Sequence, residues 1–192
     1  MFVRVGVLAV QGASREHLAT LRRMEVEALG VRTVEEIAAC DALIIPGGES
    51  TTIGKLMARY GLLDAVREHA GAGKPLLGTC AGMILMAKRI EAAAKDQPSL
   101  GLMDIVVERN AFGRQVDSFE TDLEFEGVNS GPVRAVFIRA PIIKSVGEGV
   151  KVLARSGDRI VAAQERNLLA LSFHPELTED VRIHRYFLSL VG

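Results

Sequence analysis

Lys74-Pro75-Leu76-Leu77-Gly78-Thr79-Cys80-Ala81-Gly82-Met83-Ile84-Leu85-Met86-Ala87 is the stretch that decides the fold. A short apolar run ends at Gly78, and a run of helix formers begins just after Gly82. The pattern predicts a strand over 74–78, a sharp turn, and a helix over 83–90. Such a strand, apolar without alternation, suits a parallel sheet whose two faces are both covered by helices. The same unit recurs upstream. Asp41-Ala42-Leu43-Ile44-Ile45 is a compact apolar strand stopped by Pro46-Gly47-Gly48. Ser50, Thr51 or Thr52 then caps a helix carrying Ile53, Leu56 and Met57. Residues 3–10 read as a first strand, Ser14 as the cap of a helix through Leu18, Leu21 and Arg22, and 26–31 as a short strand. A further helix covers 62–69.

The second half changes character. Residues 105–107, 123–125, 133–138, 150–153, 160–163 and 168–173 are strand-like, with little helix between them, before a final helix over 179–191. They should extend the sheet or form an antiparallel flap beside it. No repeat, low-complexity tract or linker interrupts the chain, so 1–192 reads as a single α/β domain. The expected architecture is a mostly parallel central sheet with an antiparallel extension in the second half.

Composition narrows the function classes. The 192 residues are 48% hydrophobic, with 19 glycines spread along the chain. Lys plus Arg (23) nearly balances Asp plus Glu (24), so no charge footprint points to nucleic acid or an anionic membrane. The apolar amino terminus is broken by Arg4 and ended by Gln11-Gly12, which makes it a core strand and not a signal peptide. No apolar stretch approaches the ~18 residues that span a bilayer. Cys40 and Cys80 offer no disulfide framework, which fits a cytoplasmic protein with reduced thiols.

Three motifs carry chemistry. Gly78-Thr79-Cys80-Ala81-Gly82, between strand and helix, is a thiol version of the nucleophile elbow. The turn projects Cys80 from the carboxyl edge of the sheet, and the glycines let neighbouring backbone approach closely. The positive end of the helix lies behind the sulfur, and the Ala81 amide is placed to stabilise an oxyanion. An isolated free cysteine is more often a small buried hydrophobe, which is the reading for Cys40. Of the four histidines, His17, His69 and His184 fall in helical patterns and read as surface or packing residues. His174 ends an apolar strand, and Glu176, two residues on, points to the same side in an extended segment. A base oriented by a carboxylate is what a thiol nucleophile requires. The third motif, Pro46-Gly47-Gly48-Glu49-Ser50-Thr51-Thr52, reads either as a phosphate cradle or as an oxyanion loop. In the second reading Gly48 donates its amide and Glu49 meets a cationic substrate group.

In this chain order the elbow, the Pro-Gly-Gly loop and His-x-Glu resemble the class I, triad-type glutamine amidotransferases. Gln11-Gly12, 47–52, 78–82, the run from Arg109 to Phe119 (Arg-Asn-Ala-Phe-Gly-Arg-Gln-Val-Asp-Ser-Phe), 137–141 and 173–177 resemble, within that family, the glutaminase subunits of pyridoxal 5'-phosphate synthases. The resemblance runs nearly end to end and is most specific in the 109–119 run. It implies a three-layer α/β/α flavodoxin-like sandwich, with Cys80 as nucleophile, His174 as base and Glu176 as its orienting carboxylate. It implies glutamine binding by Gly48, Glu49, Ser50, Arg109, Ile138 and Arg139, with the Gly48 and Ala81 amides as the oxyanion hole. An arginine suits the substrate α-carboxylate, and Glu49 suits its α-ammonium. Ammonia would pass to a separate synthase subunit, whose presence organises the oxyanion loop. This chain would carry no PLP and no metal. Hydrolase and lyase are the enzyme classes implied. Ala9 departs from the pattern, which has glycine before the Gln11-Gly12 turn. Two other functions fit the same residues: a triad cysteine hydrolase acting on another amide, and a non-catalytic assembly subunit.

Overall fold

The computed structural model describes residues 3–91, 93, 96–111 and 118–192. Its centre is five parallel strands in the order β2 (Glu27–Val31), β1 (Arg4–Leu8), β3 (Ala42–Ile45), β4 (Leu76–Thr79) and β12 (Leu168–Leu171). The sheet continues with antiparallel pairing through β11 (Arg159–Glu165), β9 (Ile142–Val146) and β6 (Met103–Glu108). Beyond it β5 (Ala87–Glu91) pairs in parallel with β6, and β10 (Lys151–Ser156) pairs with β11. A separate antiparallel pair, β7 (Ser118–Leu123) and β8 (Val133–Ile138), lies off this sheet. The second half thus forms both the extension and the flap.

Alternation along the central strands creates two cores. In β3, Leu43 and Ile45 belong to one, Ala42 and Ile44 to the other. The first core is closed by α2 (Val34–Ala38), α3 (Ser50–Arg59), α4 (Leu62–Gly71) and α5 (Ala81–Met86), through Ile37, Ile53, Met57, Leu62 and Met83. The second is closed by α1 (Ser14–Arg23), α6 (Arg182–Leu188) and the β7–β8 pair, through Leu21, Phe187 and Phe137. The result is the three-layer α/β/α sandwich. Phe137, Phe173 and Phe187 are fully or almost fully buried, each contributing about 1.5–3 kcal/mol by burial.

Several boundaries differ from the sequence expectations. The helix expected over 83–90 ends at Met86, and Ala87 turns into β5. Met83 to Ala87 is apolar on every side, so periodicity could not separate helix from strand. Lys88 and Arg89 are exposed on this strand, and Lys88 pairs with Asp104 at 3.2 Å. A helix that sequence patterning missed, α2, is secured by a capping box between Thr33 and Glu36. The strand expected at 123–125 lies earlier, at β7, and the final helix is trimmed to α6. Ser14 is the first residue of α1 and not its cap. Residues 112–117 of the specific 109–119 run lie outside the described residues. Among the described residues no helix is long and apolar enough to cross a membrane.

Candidate active site

In open α/β sheets ligands bind outside the carboxyl ends of the strands where the strand order reverses. Here β1 has β2 on one side and β3 on the other, and the loops after β1, β3, β4, β6, β8 and β12 converge on one side of the sheet. They enclose a cavity of about 520 Å³. Cys80 and His174 line it, as do all six residues expected to bind glutamine: Gly48, Glu49, Ser50, Arg109, Ile138 and Arg139.

Cys80 follows β4 directly and is the residue before α5, with φ 50° and ψ −101°. A non-glycine residue in that region costs on the order of 1–3 kcal/mol, which the surrounding packing must offset. The flanking glycines show why the turn can be this tight. A Cβ on Gly82 would collide with the Ile45 carbonyl, and one on Gly78 would lie 2.6 Å from the Gly82 carbonyl carbon. The Cys80 N–H donates to the Leu171 carbonyl of β12 at 2.8 Å, tying the elbow to the strand that leads to His174. Ala81 opens α5, so its N–H has no acceptor within the helix.

After β12 the chain leaves the sheet, and the His174 N–H donates to the Val136 carbonyl of β8 at 2.8 Å. His174 Nδ1 lies 2.7 Å from Glu176 Oε1, and both side chains are buried. Cys80 lies beside the imidazole, and a Cβ placed on Gly47 would meet both side chains. Burial alone would suppress the charge on His174. The bonds to Cys80 and Glu176 and the Glu176 charge override it and raise the pKa to about 10. Burial likewise favours the neutral form of Glu176, but His17 and His174 hold its carboxyl below the usual range. The three groups expected to act together are therefore in contact, with the base stabilised as an imidazolium.

The cap of α3 is Glu49, where a neighbouring hydroxyl was expected. Its carboxylate accepts from the Thr51 and Thr52 amides at 3.1 and 2.6 Å and from the Thr52 hydroxyl at 2.7 Å. Partial burial opposes the charge, yet these bonds keep Glu49 below the normal carboxyl range. Arg109 Nη2 lies 3.5 Å from Glu49, and its Nη1 donates to Gln97 at 2.9 Å. Gln97 also reaches the Ser50 hydroxyl at 3.3 Å. The loop after β3 is clamped from the other side. Ala13 N–H donates to Gly47 O, and Glu49 N–H to Gln11 Oε1. Ala9 holds an ordinary backbone there, with its N–H on Val31 O at 2.9 Å.

Sequence patterning missed Gln97, which no motif marks, and the contact between two histidines read as surface or packing residues. His17 and His184 are fully buried and meet each other at 3.0 Å, and His17 also approaches Glu176. His69 is buried with Nε2 on the Pro75 carbonyl, a packing role. Cys40 is buried with its sulfur on the Glu36 carbonyl at 3.1 Å.

Residues 7–191 match the SNO glutamine amidotransferase family. The chain is 57% identical over 98% of its length to a pyridoxal 5'-phosphate synthase subunit PdxT from Carboxydothermus hydrogenoformans, of which 98% is covered. It is also 57% identical to the protein of that name from Thermus thermophilus, covering 98% and 97% of the two chains. A crystal structure of a glutamine amidotransferase superposes with a TM-score of 0.93 at 56% identity, covering 98% of each chain. The match overturns the lyase class expected from the resemblance. A glutamine amidotransferase subunit cleaves an amide with water, so the class supported is hydrolase alone.

Proposed function

The chain belongs to the SNO glutamine amidotransferase family, and from that premise we propose that it is the glutaminase subunit of a pyridoxal 5'-phosphate synthase. It hydrolyses L-glutamine to L-glutamate and ammonia, and a separate synthase subunit takes up the ammonia. The observation that carries this reading is the contact chain from Cys80 through His174 to Glu176. It opens onto a cavity that also presents Glu49, Arg109 and Arg139.

The chemistry follows from the geometry. Arg109 and Arg139 meet the substrate α-carboxylate, and Glu49 meets its α-ammonium. With His174 already protonated, the Cys80 thiolate attacks the side-chain amide carbon. The amide N–H groups of Ala81 and Gly48 receive the developing oxyanion. His174 gives its proton to the nitrogen, the C–N bond breaks, and ammonia leaves behind a thioester. Water, losing a proton to His174, then attacks the thioester; glutamate departs and the thiolate–imidazolium pair is restored. Glu176 keeps Nδ1 protonated and balances the imidazolium throughout. The whole chain acts as one domain in this reading. A cytoplasmic setting accords with its two unpaired thiols.

The test is glutamine hydrolysis by wild type and Cys80→Ala, each with the synthase partner present. Wild type is expected to release glutamate and ammonia in equal amounts and the variant neither. Ammonia release by the variant at the wild-type rate would overturn the nucleophile assignment.

A further inference from the structure

The two carboxylate oxygens of Glu176 are unequally served. Oε1 meets His174 Nδ1 at 2.7 Å, whereas Oε2 is buried without a hydrogen bond. His17 Nε2, from α1, lies 3.4 Å from Oε2 and 3.2 Å from the hydroxyl of Thr79, the residue before the nucleophile. His17 Nδ1 lies 3.0 Å from His184 Nε2 on α6. Both histidines are fully buried, and His184 Nδ1 is without a partner. A line of polar groups thus runs from the thiol and His174, which line the cavity, through Glu176 and His17 to His184, which do not.

One proton arrangement satisfies this line. A neutral imidazole donates from one nitrogen and accepts at the other. With the proton on His17 Nε2, the N–H bonds the Thr79 hydroxyl at 3.2 Å and lies beside the second Glu176 oxygen at 3.4 Å. His17 Nδ1 then accepts from His184 Nε2–H, and the unpartnered Nδ1 of His184 is a bare lone pair. The opposite tautomer would aim the His17 lone pair at a buried carboxylate oxygen, which is repulsive. The charged groups felt at His17 are Glu176, His174 and Glu16, and Arg23 acts on His184 behind it. Burial disfavours the charged form of both histidines, against the pull of Glu176.

We propose that His17 is a positioning residue of the glutaminase reaction. As its neutral Nε2–H tautomer, selected by His184, it holds Glu176 Oε2 so that Oε1 stays aimed at His174 while the imidazolium forms and discharges. A closure of a few tenths of an ångström with a small turn of the ring, so that the N–H is shared between the Thr79 hydroxyl and Oε2, completes the bond. His17 touches no substrate, so its effect falls on turnover and not on glutamine affinity. The proposal rests on the glutaminase reading, and two measurements keep the two separable.

The first is the ¹⁵N histidine NMR spectrum of the wild-type chain between pH 6 and 8. His17 is expected with Nε2 protonated and Nδ1 bare; an Nδ1–H tautomer or an imidazolium overturns the proposal, whatever the activity. The second is steady-state kinetics with the synthase partner present. His17→Leu is expected to lower kcat on the order of 10–100-fold, the usual cost of losing a partner that orients a reacting group. Its KM for glutamine stays within about twofold and its kcat–pH profile shifts. His17→Gln, whose amide nitrogen reaches the Nε2 position, restores most of kcat. The proposal falls if His17→Leu keeps kcat within twofold of wild type, or if a fully folded His17→Gln is no better than His17→Leu. If His17→Leu does not fold, the tautomer decides. Failure of wild type to turn over glutamine, or full activity in Cys80→Ala, strikes instead at the glutaminase reading.

Discussion

Gly47 lies against the His174 imidazole so closely that a Cβ there would overlap Cε1 and stand 3.1 Å from Nδ1. The ring has no easy retreat, since Nδ1 is held by Glu176 and the backbone N–H by Val136. The same Cβ would be 3.4 Å from the Cys80 Cβ, between the nucleophile and its base. Gly47→Ala should therefore displace the base by a fraction of an ångström to an ångström and lower kcat about 100-fold. Far-UV circular dichroism should match wild type. Retention of half the wild-type kcat would show that the ring is free to move aside.

His174 should stay protonated across the neutral range. Burial opposes its charge, but Cys80 and Glu176 raise its pKa to about 10, against an unfolded value near 6.5. In the window between these values the folded state holds a proton that the unfolded state has lost. The stabilisation is complete below about pH 6.5 and disappears as pH rises through about 10. An NMR titration of the His174 Cε1–H should show no midpoint between pH 5 and 8. Glu176→Gln, lacking the charge, should titrate lower and show a shallower alkaline loss of melting temperature. A wild-type midpoint near 6.5 would rule out the resting imidazolium.

His184 predicts the opposite limb. Burial first, and His17 second, lower its pKa to about 3, although Glu176 pulls the other way. Below pH 6.5 the unfolded chain takes up a proton that the folded chain refuses. Stability on this account is complete above about 6.5 and drains away as pH falls through about 3. The slope reaches up to about 1.4 kcal/mol per pH unit for the one group. His17, lowered mainly by burial, adds in the same direction. Urea unfolding at pH 7, 6 and 5 should show this loss in wild type and a shallower one in His184→Gln. Identical slopes in the two proteins would remove His184 as the source.

The site divides by how local its signals are. Gly78 and Gly82 each answer a collision at the elbow, so the motif around Cys80 was readable from five adjacent residues. His174 and Glu176 were readable as a close base–carboxylate pair, but not for the expected reason: Pro175–Leu177 is a 3-10 helix and not extended, and this turn brings Glu176 Oε1 to His174 Nδ1. His17 and His184 were not, because they sit on helices 167 residues apart and meet only when α1 and α6 cover the same face of the sheet. Helical spacing alone makes a buried histidine look like any packing residue. Gln97 belongs to no pattern and is recruited by Arg109 and Ser50 in three dimensions. The α5–β5 boundary was hidden for another reason: Met83 to Ala87 is buried throughout, so no polar face marks where the helix stops.

Glu49 combines two duties that substitutions can separate. It caps α3 through the Thr51 and Thr52 amides, and its half-exposed carboxylate lines the cavity beside Arg109. Glu49→Ala removes both functions, so it should lose about 1 kcal/mol of stability, the usual value of a cap, and bind glutamine poorly. Glu49→Gln keeps an oxygen able to accept from the helix amides but has no charge for the α-ammonium. A charge-assisted hydrogen bond contributes about 1.5–3 kcal/mol, so KM for glutamine should rise roughly 10–100-fold. The melting temperature should stay closer to wild type than that of Glu49→Ala. Melting curves and glutamine saturation curves on the three proteins decide the matter. A wild-type KM in Glu49→Gln would leave Glu49 as a helix cap alone and pass recognition of the ammonium to another group in the cavity.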